Sequence, residues 1–168
     1  EGLAFALREH RNQLLQDHTN FVGFLANMLV HNRPPLGFFG TVAVERSGEH
    51  KDGLNLKIKG IAPLVDIARL FALERAVHFP STMDRLAALR GGTSLIADLI
   101  DELEYAFEFI TLLRVHHQYQ QLEAGVPIDN FIKLDSLSSL ERQSLKNAFR
   151  LILKIQDRVM DRYKAFII

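Results

Sequence analysis

The stretch SLIADLIDELEYAFEFITLLRVHHQYQQLEA, residues 94–124, decides the fold class. It contains no proline and no glycine. At 100° per residue, Ile96, Leu99, Ile100, Leu103, Phe107 and Ile110 fall on one face, and Asp98, Asp101, Glu104 and Glu108 on the opposite one. A long helix with an apolar inner face and an acidic outer stripe is expected. Four carboxylates at helical spacing also raise the question of a di-metal site. That chemistry needs inward-facing acids and a Glu-x-x-His partner, and the chain has no Glu-x-x-His. The stripe is read as a solvated face, with no metal.

Helical pattern extends to both sides. Residues 2–31 carry Leu3, Leu7, Leu14, Phe21, Phe24, Leu25 and Met28 at helical spacing, and Arg33-Pro34-Pro35 ends that helix. Residues 61–78 are apolar nearly all round, as suits an interior helix. Pro80-Ser81-Thr82-Met83-Asp84 starts a short helix that Gly91-Gly92 ends, and Ser138-Ser139-Leu140-Glu141 is a capping box opening a last helix to about Lys164. Between the first two helices, residues 38–46 are aromatic, β-branched or small, and Leu54-Asn55-Leu56-Lys57-Ile58-Lys59 alternates apolar and polar. A β-hairpin over 38–59 is expected, placing Lys57 and Lys59 on one strand face. The fold class is therefore mainly α: an up-and-down bundle of long helices with one hairpin inserted after the first helix. Residues 1–32 form an N-terminal helix, read as a linker from an upstream domain, and 33–168 the helical domain proper.

The chain has 168 residues, enough for one domain with a real core. Lacking cysteine, it has no disulfide, Cys-ligated zinc, iron–sulfur cluster or Cys nucleophile. No apolar run reaches membrane-span length and no secretory pattern opens the chain, so a cytoplasmic location without membrane contact is expected. Charge sums to zero, with 20 basic and 20 acidic side chains, but it is segregated: −1 over residues 1–32, +3 over 33–90, −6 over 91–130 and +4 over 131–168. Neutrality argues against a generic polyanion binder, and no nucleic acid is expected. The segregation points to docking in one orientation, since the basic series Arg142, Lys146, Arg150 and Lys154 faces outward on its own helix.

Motifs for catalysis are missing: there is no Gly-x-Ser-x-Gly, Walker loop, Gly-x-Gly-x-x-Gly or Asp-x-Asp. Arg11 and His18, seven apart on one helical face, share a spacing with helical nucleotide-binding ribonucleases, one that arises readily by chance. Arg114, His117 and Gln118 extend the core face of the 94–124 helix where it turns polar. They either tie down the Val126–Asn130 loop or line a pocket at the helix end. Asp66 and Arg69, three apart, form a local ion pair or leave the guanidinium for a phosphate or carboxylate.

Three groups of residues carry a resemblance. The first runs from Pro34-Pro35-Leu36-Gly37-Phe38-Phe39 through Glu45-Arg46-Ser47-Gly48-Glu49-His50-Lys51 and Leu54-Asn55-Leu56-Lys57 to Val65-Asp66-Ile67-Ala68-Arg69. The second is Arg114-Val115-His116-His117-Gln118 with Pro127-Ile128-Asp129-Asn130, and the third Leu137-Ser138-Ser139-Leu140-Glu141-Arg142 with Leu145-Lys146. The set resembles the C-terminal substrate-binding domain of bacterial nucleotidyltransferase-like signalling proteins related to the PII uridylyltransferase, over roughly residues 20–164. One departure is Asn55, where the family usually has Asp.

The resemblance implies an upstream nucleotidyltransferase domain, often preceded by cyclic-nucleotide-binding and CBS domains. That domain would hold magnesium and nucleoside triphosphate, and this chain would hold no cofactor. The chain alone is then non-catalytic, a substrate-positioning domain whose cleft-facing residues are Lys57, Arg69, Arg114, His117, Gln118 and Asn130. Its partners would be the upstream domain and a PII-like protein acceptor or a nucleotide. The alternative is a dimerisation or regulatory interaction module, a homodimer being one form of it.

Overall fold

The capping box at Ser138 shows how local sequence sets the elements. Glu141 N–H donates to Ser138 Oγ at 3.2 Å, and Glu141 Oε2 accepts from Ser138 N–H at 2.8 Å, so two otherwise unpaired donors are satisfied. The Ser138 hydroxyl and N–H together hold the Glu141 carboxyl below its ordinary value. The structure, a computed structural model, describes residues 2–17, 19–37 and 40–164. It is mainly helical: α1 Gly2–Asp17, α2 Thr19–His31, α3 Ala62–Glu74, α4 Thr82–Leu89, α5 Ile100–Glu123 and α6 Ser139–Arg162, with two short strands, β1 Gly53–Asn55 and β2 Phe131–Lys133. The single helix expected over 2–31 is described as α1 and α2; His18 lies outside the described residues, and with it the Arg11–His18 pair.

Two compact units make up the chain. The first comprises the described residues of 1–31, 65–100 and 155–168, the second those of 32–64 and 101–154.

In the first unit, Leu29, Ile67, Phe71, Leu86, Ile96 and Val159 are buried. Gln156 is fully buried among them and donates from Nε2 to Leu29 O at 2.8 Å, satisfying a carbonyl near the end of α2. Asp98 was expected on a free acidic stripe. It instead takes a two-pronged contact from Arg158, at 2.7 and 2.8 Å, while Arg158 also reaches Leu95 O at 2.9 Å. Glu74 pairs with Arg162. Some opposite charges therefore do cancel within this unit. Asp66 and Arg69 form the expected pair at 3.0 Å. Helix α3 stops at Glu74 rather than running to 78, closed by Val77 N–H to Ala72 O at 2.7 Å and Ala76 N–H to Leu73 O at 3.2 Å, with Ala76 at φ +54°.

The second unit holds the strands. Leu54 faces Ile132 in an antiparallel ladder, both buried, with Gly53 opposite Lys133 and Asn55 opposite Phe131. The expectation of a small antiparallel pair following the first helices is met, but β1 takes its ladder partner from β2, far along the chain, and not from the described residues of 38–46. The chain does reverse locally, through Glu45 N–H to Gly53 O at 2.9 Å and Asp52 N–H to Glu45 O at 2.8 Å. Phe38 and Phe39, the start of the expected hairpin, lie outside the described residues. Alternation over 54–59 does not extend the strand either. Asn55 Oδ1 accepts from Ile58 N–H at 3.0 Å and opens a π-helical turn, Lys57–Ile61, that leads into α3. A Cβ at Gly60 would meet Ile110 at 3.0 Å, so this turn lies hard against α5. Helix α5 itself begins at Ile100, after a 3₁₀ turn Ala97–Leu99, and ends through Val126 N–H to Gln121 O and Gly125 N–H to Leu122 O, both 3.1 Å, with Gly125 at φ +66°.

Candidate functional site

Polar groups of the second unit converge on the loop from Asp129 to Phe131. Asn130 O accepts from Leu56 N–H at 2.9 Å, which registers the loop on β1. Arg114 Nε donates to Asn130 Oδ1 at 2.6 Å, and Gln118 Nε2 to Asp129 O at 3.1 Å. Gln121 pairs twice with Asp129: its Nε2 donates to Oδ1 at 2.9 Å, and its Oε1 accepts from Asp129 N–H at 3.0 Å. Phe131 N–H donates to the same Oδ1 at 2.9 Å. Two turns of α5 and one carboxylate thus fix the loop, because residues three and four apart on a helix share a face.

Two imidazoles flank that carboxylate. His50 Nδ1 lies 3.6 Å from Oδ2 and His117 Nε2 lies 3.8 Å from Oδ1, both beyond hydrogen-bond length. The His117 Nε2 atom is buried and has no hydrogen-bond partner. His50 stacks flat on Phe131, ring centroids 3.7 Å apart and planes within 6°. Gly53 permits this: a Cβ there would meet His50 O at 2.8 Å and Phe131 Cβ at 3.3 Å. Burial pushes the Asp129 carboxyl upward, but the Gln121 and Phe131 hydrogen bonds and the two imidazoles outweigh it, and the group sits below its ordinary value. A carboxylate whose charged form is favoured is a weaker proton acceptor, and the hydrogen bonds of Asp129 hold its loop and neighbours in place.

A cleft of about 370 Å³ opens beside the cluster, lined among others by His50, Lys51, His117, Gln121, Asp129 and Lys133. Of the six residues assigned from the sequence, Arg114, His117, Gln118 and Asn130 come together here. Only His117 lines the cleft; the other three tie its loop, which is the simpler of the two roles open for them. Lys57 is exposed in the π-helical turn and not on a strand. Arg69 belongs to the first unit, beside a separate small hollow with Val77 and Arg85. Sequence reasoning missed His50, Gln121, Asp129 and Phe131 as site residues. Gln121 was findable, being four residues beyond His117. Among the described residues no group of three or more His, Asp and Glu is placed to hold a metal ion, and no helix is long and apolar enough to cross a membrane.

The family model described as "Putative nucleotidyltransferase substrate binding domain" matches residues 19–163. No curated protein and no solved structure matches the chain.

Proposed function

Because the chain belongs to this family of nucleotidyltransferase substrate-binding domains, we propose that it positions the acceptor for a separate catalytic domain, with the His50–His117–Asp129 cleft as its contact surface. The observation that carries this reading is the convergence of α5, the 45–53 turn and β2 on one open cleft, where the buried ring nitrogen His117 Nε2 has no hydrogen-bond partner among the described residues. Such a nitrogen favours any ligand that completes its hydrogen bond. Lys51 and Lys133, both exposed at the rim, suit an acceptor bearing phosphate or carboxylate. In the finer form of the proposal, the parent protein is a signalling nucleotidyltransferase of the PII uridylyltransferase type. Magnesium and the nucleoside triphosphate then sit in the catalytic domain, and the acceptor is a PII-like protein.

Isothermal titration of the chain with nucleoside triphosphates and with PII-like proteins tests this. Binding that falls at least tenfold in the Lys51→Ala/Lys133→Ala double variant, and is unchanged in Lys57→Ala/Arg69→Ala, is the expected result. Binding indifferent to the first pair removes the cleft from the mechanism.

A further inference from the structure

Another hollow of the second unit, about 400 Å³, lies between the start of α5 and the middle of α6, and shares no residue with the cleft. Small residues create it: Ala106 and Ala148, both buried, carry only a methyl group each where the two helices border it. Tyr105 and Leu151 extend the apolar wall, Ser144 and Asn147 supply a hydroxyl and an amide, and Asp101 and Glu102 stand at the α5 start. No basic side chain lines the hollow among the described residues. Glu102 is exposed and makes no hydrogen bond or ion pair among them. The helix dipole accounts for acids in a first turn, but not for their opening onto an apolar hollow. We infer that the hollow binds a small organic cation, an ammonium or guanidinium group carried on an apolar body. The inference does not depend on the cleft.

Charge fixes the sign of the ligand, because an anion would meet two carboxylates and no base. The walls fix its other half. A bare metal ion needs several oxygen ligands and gains nothing from Ala106, Ala148 and Leu151, whereas an apolar body is drawn out of water onto them. The exposed ring of Tyr105 adds a face that attracts a cation. Arg150 donates to Asn147 Oδ1 at 3.0 Å without lining the hollow, so that acceptor is taken and the charged end of the ligand belongs at Glu102. Length fixes the size. The lining runs from 144 to 151 on α6, about 10 Å at 1.5 Å per residue, and only from 101 to 106 on α5. That is shorter than an ordinary partner helix, and the volume is that of a small-ligand pocket.

Three probes of one shape test the inference: phenylbutylamine, phenylbutanol and phenylbutyrate, each titrated into the chain and followed by backbone amide chemical shifts. The amine is expected to bind at millimolar concentration with shifts centred on 101–106 and 144–151, the alcohol more weakly, and the acid not at all. Glu102→Gln is expected to weaken the amine about three- to fivefold, the scale of an exposed ion pair, and to leave the alcohol unchanged. Ser144→Phe, which fills the hollow from α6, is expected to abolish both, with circular dichroism checking that each variant is folded. Equal affinity for amine and alcohol overturns the inference. So do shifts centred elsewhere, an amine whose affinity ignores Glu102→Gln, preference for the acid, or no binding by the amine.

Discussion

Gln156 and Asp129 each join parts of the chain far apart in sequence, the first fully buried and the second partly exposed. Gln156 is wholly enclosed in the first unit, and its amide Nε2 donates to the Leu29 carbonyl. Asp129, 32% exposed, serves two residues of α5, its own loop and the His50 turn beside an open cleft. An enclosed polar group specifies architecture, because no ligand reaches it and any unmet bond is a direct loss. A polar group at a rim can also keep its neighbours ready for something else.

Replacement of each breaks or sharpens that contrast. Gln156→Ala removes a buried side chain and orphans a carbonyl, and costs about 3 kcal/mol in urea unfolding, with ligand binding at the cleft unaffected wherever the chain remains folded. Asp129→Ala costs less, about 1–2 kcal/mol, because water reaches the freed groups, but it disorders the loop and abolishes cleft binding. Its pH signature follows from the sign of the shift. The folded carboxyl sits below its ordinary value, so its stabilisation is present above the unfolded value and is lost as pH falls through the lower, folded one. Acid titration of stability should show that loss in the wild type and not in Asp129→Ala. The smallest effect is Asn55→Asp, which restores the acid usual in the family. Either side chain accepts the Ile58 N–H, so stability changes by no more than about 0.5 kcal/mol.

These cases also show what was legible beforehand. Local chemistry was readable: the Ser138 box, the Ser81 cap that accepts from Asp84 N–H at 3.4 Å, the Asp66–Arg69 pair and the inner face of α5 follow from spacing alone. The partner of β1 was not, since strand pairing across more than seventy residues leaves no periodic trace at either end. Asn55 hid the end of the strand, because an alternating pattern looks the same whether or not its polar side chain turns back to cap the next turn. The grouping of Arg114, His117, Gln118 and Asn130, though not their role, was legible because three lie on one helix face and the fourth in the following loop. His50 was missed for the opposite reason: it enters from an irregular turn, and only the Gly53 approach brings its ring onto Phe131. The exposed apolar side chains Leu112, Val115, Tyr119 and Leu122 of α5 were not legible because the acidic residues at its start suggest a polar exterior throughout, whereas no further acid follows Glu108 until Glu123.

Ala76 occupies, at the end of α3, the left-handed position that Gly125 occupies at the end of α5. A side chain there costs about 1–2 kcal/mol of backbone strain, against which glycine would loosen the unfolded chain by roughly half as much. Alanine and glycine codons differ by a single base. A single-base change in one codon therefore separates this helix end from a less strained one.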